Sequence, residues 1–267
     1  MNMPPKKKKT KRYIDGIFNY CDRWCERCAF TGRCRLYDME KEAFPDEESR
    51  DLDNDAFWES LHGVLQQTKE MLRQSAAEHG IDLDQIELED NGEWERRRDA
   101  TWNSEPGQMG EDYAEKASEW FEAHETLLND YQQQLESRLQ MELAGDEPEA
   151  EAVAVQDAAD VIRWYQFQIA VKLMRALNWE VDAEHEDADD EIREIHALER
   201  DGSAKVALIG IDRSLAAWTV LRQSLADDSD TMLDMLVRLS RLRLAAEKTF
   251  PAARAFVRPG FDTGEKP

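Results

Sequence analysis

The sequence predicts an all-α fold, namely an antiparallel helical bundle of four to five helices with an N-terminal four-cysteine metal loop. Only 12 of its 267 residues are glycine and 8 are proline, so few positions interrupt a helix. Long stretches place apolar residues three and four positions apart, which is the period of an α-helix. With 41% hydrophobic residues, the chain is long enough for one sizeable helical domain with smaller appendages.

Five segments follow from the composition and from the positions of proline and glycine. We predict a disordered basic tail over 1–12, a four-cysteine metal-binding module over 13–37 and an acidic linker over 38–54. The helical bundle is predicted over 55–250 and a C-terminal tail over 251–267, loose from Arg258 onward. The metal chemistry is therefore expected in the second segment and the apolar core in the fourth.

Charge separates a basic head from an acidic body. Residues 1–36 carry ten Lys and Arg against three Asp and Glu, whereas the other residues carry 24 against 55. An acidic body repels phosphate, so contact with nucleic acid is expected only through the basic head. For the body we expect a protein partner or a redox partner, and no membrane.

The N-terminal sequence lacks the apolar segment of a secretory signal, because the lysines at 6–9 lead into Arg12, Tyr13 and Ile14. The longest purely apolar run, 206–211, is too short to span a bilayer. We therefore expect a cytoplasmic protein. In that reducing compartment clustered cysteines bind metal more often than they form disulfides.

All four cysteines lie within fourteen residues, in the pattern C-x3-C-x2-C-x5-C formed by Cys21, Cys25, Cys28 and Cys34. Residues 13–20, with the apolar spacing of a short helix, would deliver the first of them. Zinc usually takes two C-x2-C knuckles, and only one is present here. A 4Fe-4S cluster accepts ligands from a single wrapping loop. We therefore predict a 4Fe-4S cluster, with zinc as the alternative.

The last three cysteines support that preference by resemblance. Cys25-x2-Cys28-x5-Cys34 resembles the end of the 4Fe-4S loop in helix-hairpin-helix DNA glycosylases. It is also similar to the end of the iron–sulfur motif in exonuclease domains related to bacterial recombination nucleases, with Ala29 in place of their usual proline. This resemblance implies cluster ligation by the three cysteines. The spacing Cys21-x3-Cys25-x2-Cys28 is similar to the radical S-adenosylmethionine signature, but no alternation of strands and helices follows it.

Four arginines surround the cysteines: Arg23, Arg27, Arg33 and Arg35. Four thiolates around one zinc ion or one oxidised 4Fe-4S core leave a net charge of about −2, which neighbouring arginines can offset. We predict that these side chains line the metal centre as its outer shell. Trp24 and Phe30 are expected to screen it from water.

The first two bundle helices are predicted from apolar stripes. Over 55–79 the stripe ends at Gly80, a typical stop. After an irregular acidic stretch over 81–110, a second helix is expected over 111–143. The chain then turns through Gly145 and Pro148.

Three further helices complete the predicted bundle. The third, over 149–179, is apolar on two arcs, one through Tyr165 and Ile169 and the other through Phe167 and Val171, so we expect neighbours on both sides. An acidic loop is expected over 180–190. The fourth helix, over 203–225, is the most apolar and begins after a break at Gly202, and the fifth spans 230–248.

A polar line crosses the apolar fourth helix at Lys205 and Asp212. Buried charges need partners, and the third helix offers Asp157, Asp160, Arg163, Lys172 and Arg175. A structural ion network is the favoured interpretation. A small-molecule or anion pocket is the alternative.

The functional hypothesis is a metal-binding helical protein that carries one 4Fe-4S cluster for electron transfer or for redox or iron sensing with a protein partner. A zinc-stapled interaction protein is the first alternative. A cluster-dependent enzyme acting on a small molecule or nucleic acid is the second. No phosphate-binding loop, dinucleotide fingerprint or nucleophile motif stands out, so no catalytic residue is predicted and the question of an enzyme stays open.

Overall fold

The computed structural model of the protein describes residues 13–83, 92–141, 147–183, 190–225, 229–264 and 266. Across these residues the secondary structure is helical, with eight α-helices and no strand. None of the helices searched in this part of the chain combines the length and the apolar character that a bilayer crossing requires. The predicted basic tail over 1–12 lies outside the described residues.

The chain forms two compact units. The first comprises Met1–Asn19, Arg23–Gly92 and Pro259–Pro267, and the second comprises Tyr20–Asp22 and Glu93–Arg258, as far as their residues are described. The first unit contains helices α1 (Arg35–Ala43) and α2 (Asp55–Glu78), together with 3-10 turns at Cys25–Arg27, Thr31–Arg33 and Glu48–Arg50. The second unit contains the other six helices.

Helix α2 confirms the prediction from its apolar period, but its stripe is not buried. Asn54 caps the helix by accepting a hydrogen bond of 3.0 Å from the amide of Ala56. None of its 24 residues is buried, and Leu65 and Met71 are 59% and 66% exposed. The apolar period therefore predicted the helix and its bounds, but it did not predict whether the stripe would be buried.

A local prediction for the first unit is wrong. Residues 13–20 do not form the expected helix, and 15–20 form turns, since Gly16 has φ of +70° and a right-handed helix cannot include that conformation. The segment 38–54 was expected to be a linker, yet it contains most of α1 and a 3-10 turn. Phe44 in that segment stacks on Phe57 with ring centroids 5.7 Å apart.

The C-terminal residues of the first unit are also packed, where a loose tail was expected. Phe261 contacts Phe30 edge-on at 5.3 Å between ring centroids. Gly260 is buried, and the Arg33 guanidinium donates to the carbonyl of Lys266 over 2.6 Å. The segment thus contributes contacts to the unit that contains Cys25, Cys28 and Cys34, and no periodic pattern in the sequence indicates them.

The second unit is built from six helices. Their bounds are α3 Glu93–Trp102, α4 Glu105–Ala123, α5 Glu125–Met141, α6 Pro148–Ala183, α7 Asp190–Ser224 and α8 Ser229–Thr249. The helix predicted over 111–143 is therefore two helices that meet at His124, and α3 occupies a stretch expected to be irregular. Helix α4 starts early because the Ser104 hydroxyl caps it, accepting from the amide of Gly107. Most of the acidic loop predicted over 180–190 lies outside the described residues, at 184–189.

Helix α7 runs unbroken through Gly202, where the sequence predicts a break. A Cβ added at Gly202 would come within 2.3 Å of the Tyr20 ring and 2.9 Å of the Phe256 ring. These two rings lie edge-on to each other, 4.7 Å apart. The glycine is therefore required for close packing of aromatic rings on α7, and the helix tolerates its low propensity.

The core of the second unit centres on aromatic residues from α4, α6 and α7. The Trp218 ring is fully buried, contacts Trp120 edge-on at 5.0 Å and donates to the Tyr113 hydroxyl over 3.0 Å. One arc of α6 joins this core through residues that include Tyr165 and Ile169. The second arc was expected to be covered as well, yet Phe167 and Val171 are 56% and 63% exposed.

The polar line on α7 is explained by ion pairs near the end of the second unit. Lys205 donates to the carbonyl of Arg254 over 2.6 Å, and Arg254 pairs with Asp212 and with Glu247. Arg243 adds a longer contact to Asp212 at 3.7 Å. The ion network is present, but within the described residues its partners come from α8 and the following turn instead of from α6.

Candidate metal-binding loop

Cys25, Cys28 and Cys34 lie on two consecutive short turns in the first unit. The Cys28 amide donates to the Cys25 carbonyl over 3.2 Å and closes the first turn, and the Cys34 amide donates to the Thr31 carbonyl over 3.3 Å and closes the second. Cys28 and Cys34 each follow their turn in an extended conformation. Helix α1 begins directly after Cys34, so the last thiol is attached to a regular element.

The Cys28 sulfur has a hydrogen-bond donor beside it. The amide of Phe30 lies 3.4 Å from Cys28 Sγ. An amide that donates to sulfur is the kind of outer interaction that metal-bound cysteines use. All four cysteines, each of which the structure describes, are partly exposed and form no disulfide.

The four arginines expected around the metal have contacts of their own. Arg23 forms an ion pair with Glu40 at 3.4 Å, and Arg27 stacks on Trp24 with its guanidinium 3.9 Å from the ring centroid. Arg33 reaches the Lys266 carbonyl, and Arg35 starts α1 as an exposed residue. Their assignment to the outer shell of a metal centre stays a prediction.

Arg23 has an unusual backbone conformation. Its φ is +57°, and among the described residues it is the one non-glycine residue with positive φ. A side chain in this region costs about 1–2 kcal/mol. Such strain tends to occur where a loop must direct groups to a site, and Arg23 lies between Cys21 and Cys25.

The described residues do not gather the thiols into a formed metal site. Within the described ranges, no group of three or more His, Cys, Asp and Glu side chains has an arrangement that would hold a metal ion. A small open pocket of about 450 Å³ adjoins Cys25 and is bounded by Tyr37, Lys41 and Phe57. Its lining contains charges and aromatic rings, with Lys41 placed 4.6 Å above the centroid of Tyr37.

Asp22, the residue after Cys21, is held by hydrogen bonds in the second unit, and we call this set of contacts the Asp22 anchor. The Asp22 carboxylate accepts hydrogen bonds at Oδ2 from the Tyr165 hydroxyl over 2.5 Å and from Arg213 over 2.7 Å. Its backbone carbonyl accepts from Trp164 Nε1 over 3.0 Å and from the side chain of Gln168. Arg213 also contacts the Tyr165 hydroxyl. Helices α6 and α7 thus fix the backbone next to Cys21.

This Asp22 anchor has no signature in the sequence. Tyr165 and Trp164 read as apolar members of α6, and Asp22 reads as one more loop residue. Burial and the hydrogen bond to Asp22 raise the pKa of Tyr165 well above its ordinary value, so its hydroxyl remains the donor that Asp22 requires. The sequence feature that comes closest to indicating these contacts is Arg213, a charged residue on the apolar helix α7.

A second polar contact fixes Tyr20. Its hydroxyl donates to Glu199 on α7 over 2.9 Å, and Arg175 on α6 pairs with the same carboxylate. Burial, followed by the interaction with Glu199, raises the pKa of Tyr20 to about 12. Cys21 therefore lies in the chain between two residues, Tyr20 and Asp22, whose side chains are held by hydrogen bonds.

No family is matched. Comparisons with protein-family models, with curated proteins and with solved structures find no match to this chain. The ligand set of the candidate site is therefore the one that the cysteine spacing predicts.

Proposed function

We propose that this protein binds one 4Fe-4S cluster through Cys21, Cys25, Cys28 and Cys34 and uses it for electron transfer or for redox or iron sensing with a protein partner. The observation that carries the proposal is the concentration of all the thiols within fourteen residues, with no disulfide among them. Thiolates are the ligands that iron–sulfur clusters require. A bound cluster would supply one-electron chemistry, and the chain would hold it and set its environment.

The scarcity of buried apolar residues in the first unit supports a stabilising metal. Among its described residues, only Ile14 and Ile17 are buried hydrophobic residues. Small units without a sufficient core commonly depend on a metal or on disulfides, and metal-binding free energy then becomes folding free energy. A metal bound by the cysteine loop would supply that free energy.

The surroundings of the loop support thiolate ligation in particular. The Phe30 amide donates a hydrogen bond to Cys28 Sγ, an interaction that is also found around metal-bound thiolates. Trp24 and Phe30 are partly buried rings next to the cysteines in sequence, and rings in such positions lower the local dielectric. Arg23 and Arg27 are exposed and bring positive charge to the same loop, where a thiolate centre of about −2 would need it.

Anaerobic purification tests the proposal. Iron and acid-labile sulfide should be present together with a visible absorption that bleaches on addition of dithionite. Each single Cys→Ser variant should lose that absorption, whereas Ala29→Ser, which changes an exposed position in the same loop, should retain it. Protein that contains neither iron nor zinc when recovered without oxygen would overturn the proposal.

A zinc-stapled interaction protein is the second candidate, and one observation favours it. Cys25 and Cys28 flank a short turn, and the amide two residues after Cys28 donates to its sulfur, which is the pattern of a metal knuckle. Zinc would be held by the same four thiolates at about 2.3 Å. A colourless sample with one zinc per chain would decide for this candidate.

Three further parts of the proposal concern context. We place the protein in the cytoplasm, where thiols stay reduced, and we propose that its long helices pack as an antiparallel bundle. Contact with nucleic acid is assigned to the basic head only. A cluster-dependent enzyme is less well supported, because Lys205 and Asp212 are already engaged with Arg254.

A further inference from the structure

A broad groove lies in the second unit between α4 and α6, with the end of α3 at one side. Its volume is about 1220 Å³, which exceeds the roughly 300–1,000 Å³ of small-molecule sites. Thr101 on α3 donates to Asn178 on α6 over 2.8 Å, and Asn178 is one of the residues that line the groove. An occupant larger than a typical small molecule therefore fits this volume.

The floor of the groove is apolar and is formed by the exposed arc of α6. Phe167, Val171 and Met174 line it at the spacing i, i+4 and i+7, and Trp102 extends it at the α3 end as an exposed ring. The opposite arc of α6 is used in the core. This face therefore has the spacing with which one helix receives another.

The rim of the groove is acidic. Five carboxylates of α4 line it against one guanidinium, that of Arg175. Arg175 is neutralised by Glu199, while Asp112 pairs with Arg238 and Glu119 with Lys116. The remaining three carboxylates have no ion pair among the described residues: Glu111, Glu115 and Glu122. They follow one side of α4 over about 17 Å.

We propose that this groove binds an amphipathic helix of a partner protein, with apolar residues facing α6 and Lys or Arg facing the rim on α4. The apolar floor supplies the contact area, and the three carboxylates without an ion pair select the sign of the flanking charge. A second copy of this chain is a poor occupant, because beyond residue 36 it carries 55 acidic against 24 basic residues and would bring like charges together. The inference goes beyond the proposed metal centre and does not depend on it.

The test uses a labelled synthetic peptide of about 18 residues, with leucines at helical spacing and lysines on both flanks. Fluorescence anisotropy measures its binding to the full-length protein, and a peptide with glutamate in place of lysine is the control probe. The lysine peptide should bind at least about tenfold more tightly, and the difference should shrink at high salt. Equal binding of the two peptides would overturn the proposal.

Variants locate the site. Phe167→Ser combined with Val171→Ser should weaken binding of the lysine peptide at least about tenfold, whereas Val153→Ser, at an exposed position on the same helix outside the groove, should leave it unchanged. Replacing the three rim carboxylates by glutamine should reduce both the affinity and its salt dependence. The same change at Glu125, Asp130 and Glu136 on α5, which are exposed, should do neither.

Two outcomes would contradict the assignment. If the serine variants bind the lysine peptide as well as the unmodified protein does, the peptide binds elsewhere. If sedimentation shows a dimer that the serine variants lose and that the lysine peptide does not disrupt, the groove belongs to a second copy of the chain. Circular dichroism of each variant ensures that a loss of binding is not a loss of fold.

Discussion

The two units are stabilised in different ways although both are helical. In the first unit, α2 presents a regular apolar stripe and buries none of its residues, and Cys25, Cys28 and Cys34 lie on short turns. In the second unit, residues with the same spacing fill a core that includes Trp218, Tyr165 and Leu208, all fully buried. The comparison shows that a helical period in the sequence predicts a helix but does not predict whether the apolar residues of that helix are buried.

The largest effect expected from this contrast follows loss of a metal ligand. Cys28→Ser should abolish metal binding and with it the protection of residues 13–83 from proteolysis and amide exchange, because few buried side chains remain to order that unit. Most of the helical circular dichroism should persist, since the second unit has its own core. Ala29→Ser is the control. If the entire helical signal is lost in Cys28→Ser, the two units fold as one.

A cavity in the core of the second unit should have the next largest effect. Trp218→Ala removes a fully buried ring together with its hydrogen bond to Tyr113, and we expect the free energy of unfolding to fall by about 3–5 kcal/mol. Leu65→Ala on the exposed face of α2 should change it by less than about 0.5 kcal/mol. Chemical denaturation measures both. Equal losses would mean that α2 is covered in solution.

Two glycine substitutions sharpen the comparison because their signs should be opposite. Gly202→Ala on α7 would place a Cβ against the Tyr20 ring and should destabilise by about 1–3 kcal/mol. Gly63→Ala in the interior of α2 meets nothing within 4 Å and should stabilise α2 by about 0.5–1 kcal/mol. Thermal unfolding followed by circular dichroism distinguishes them. Destabilisation by Gly63→Ala would reveal a close neighbour of α2.

The smallest expected effect is a loss of stability at alkaline pH that arises in the second unit. Burial raises the pKa of Tyr113 and of Tyr20 to about 12, and raises that of Tyr165 further. Tyrosines in the unfolded chain ionise at about pH 10. The contribution of these three tyrosines to the free energy of unfolding is therefore complete below that pH and declines above it. Denaturant midpoints measured across this range should fall less for Tyr113→Phe than for the unmodified protein. An unchanged pH dependence would contradict this account.

The sequence predicts much of the helical architecture and the identity of the candidate ligands. The stripes of α2 and α8 locate those helices to within two residues at each end, because apolar spacing is a local property. The break expected at Gly202 is wrong because the need for a small residue arises from Tyr20 and Phe256, which are distant in sequence. The Asp22 anchor was missed for the same reason, since its partners lie more than 140 residues away.

The sequence predicts only those features of the candidate site that depend on residues close together in the chain. Four cysteines in one loop identify a set of thiol ligands, and the arginines among them indicate where positive charge lies. The packing of Phe261 on Phe30 depends on a segment more than 200 residues later, so no spacing rule would indicate it. Long-range partners of a loop are therefore the part of a site that a single sequence leaves open.

The unequal exposure of methionines gives the protein a built-in chemical reporter. Met71 on α2 is largely exposed, whereas Met232 and Met235 on α8 are buried. Peroxide converts an accessible thioether to a sulfoxide and reaches a buried one only when the surrounding structure opens. Mass spectrometry of peptides after timed oxidation would therefore record the opening rate of the second unit against an internal standard in the first.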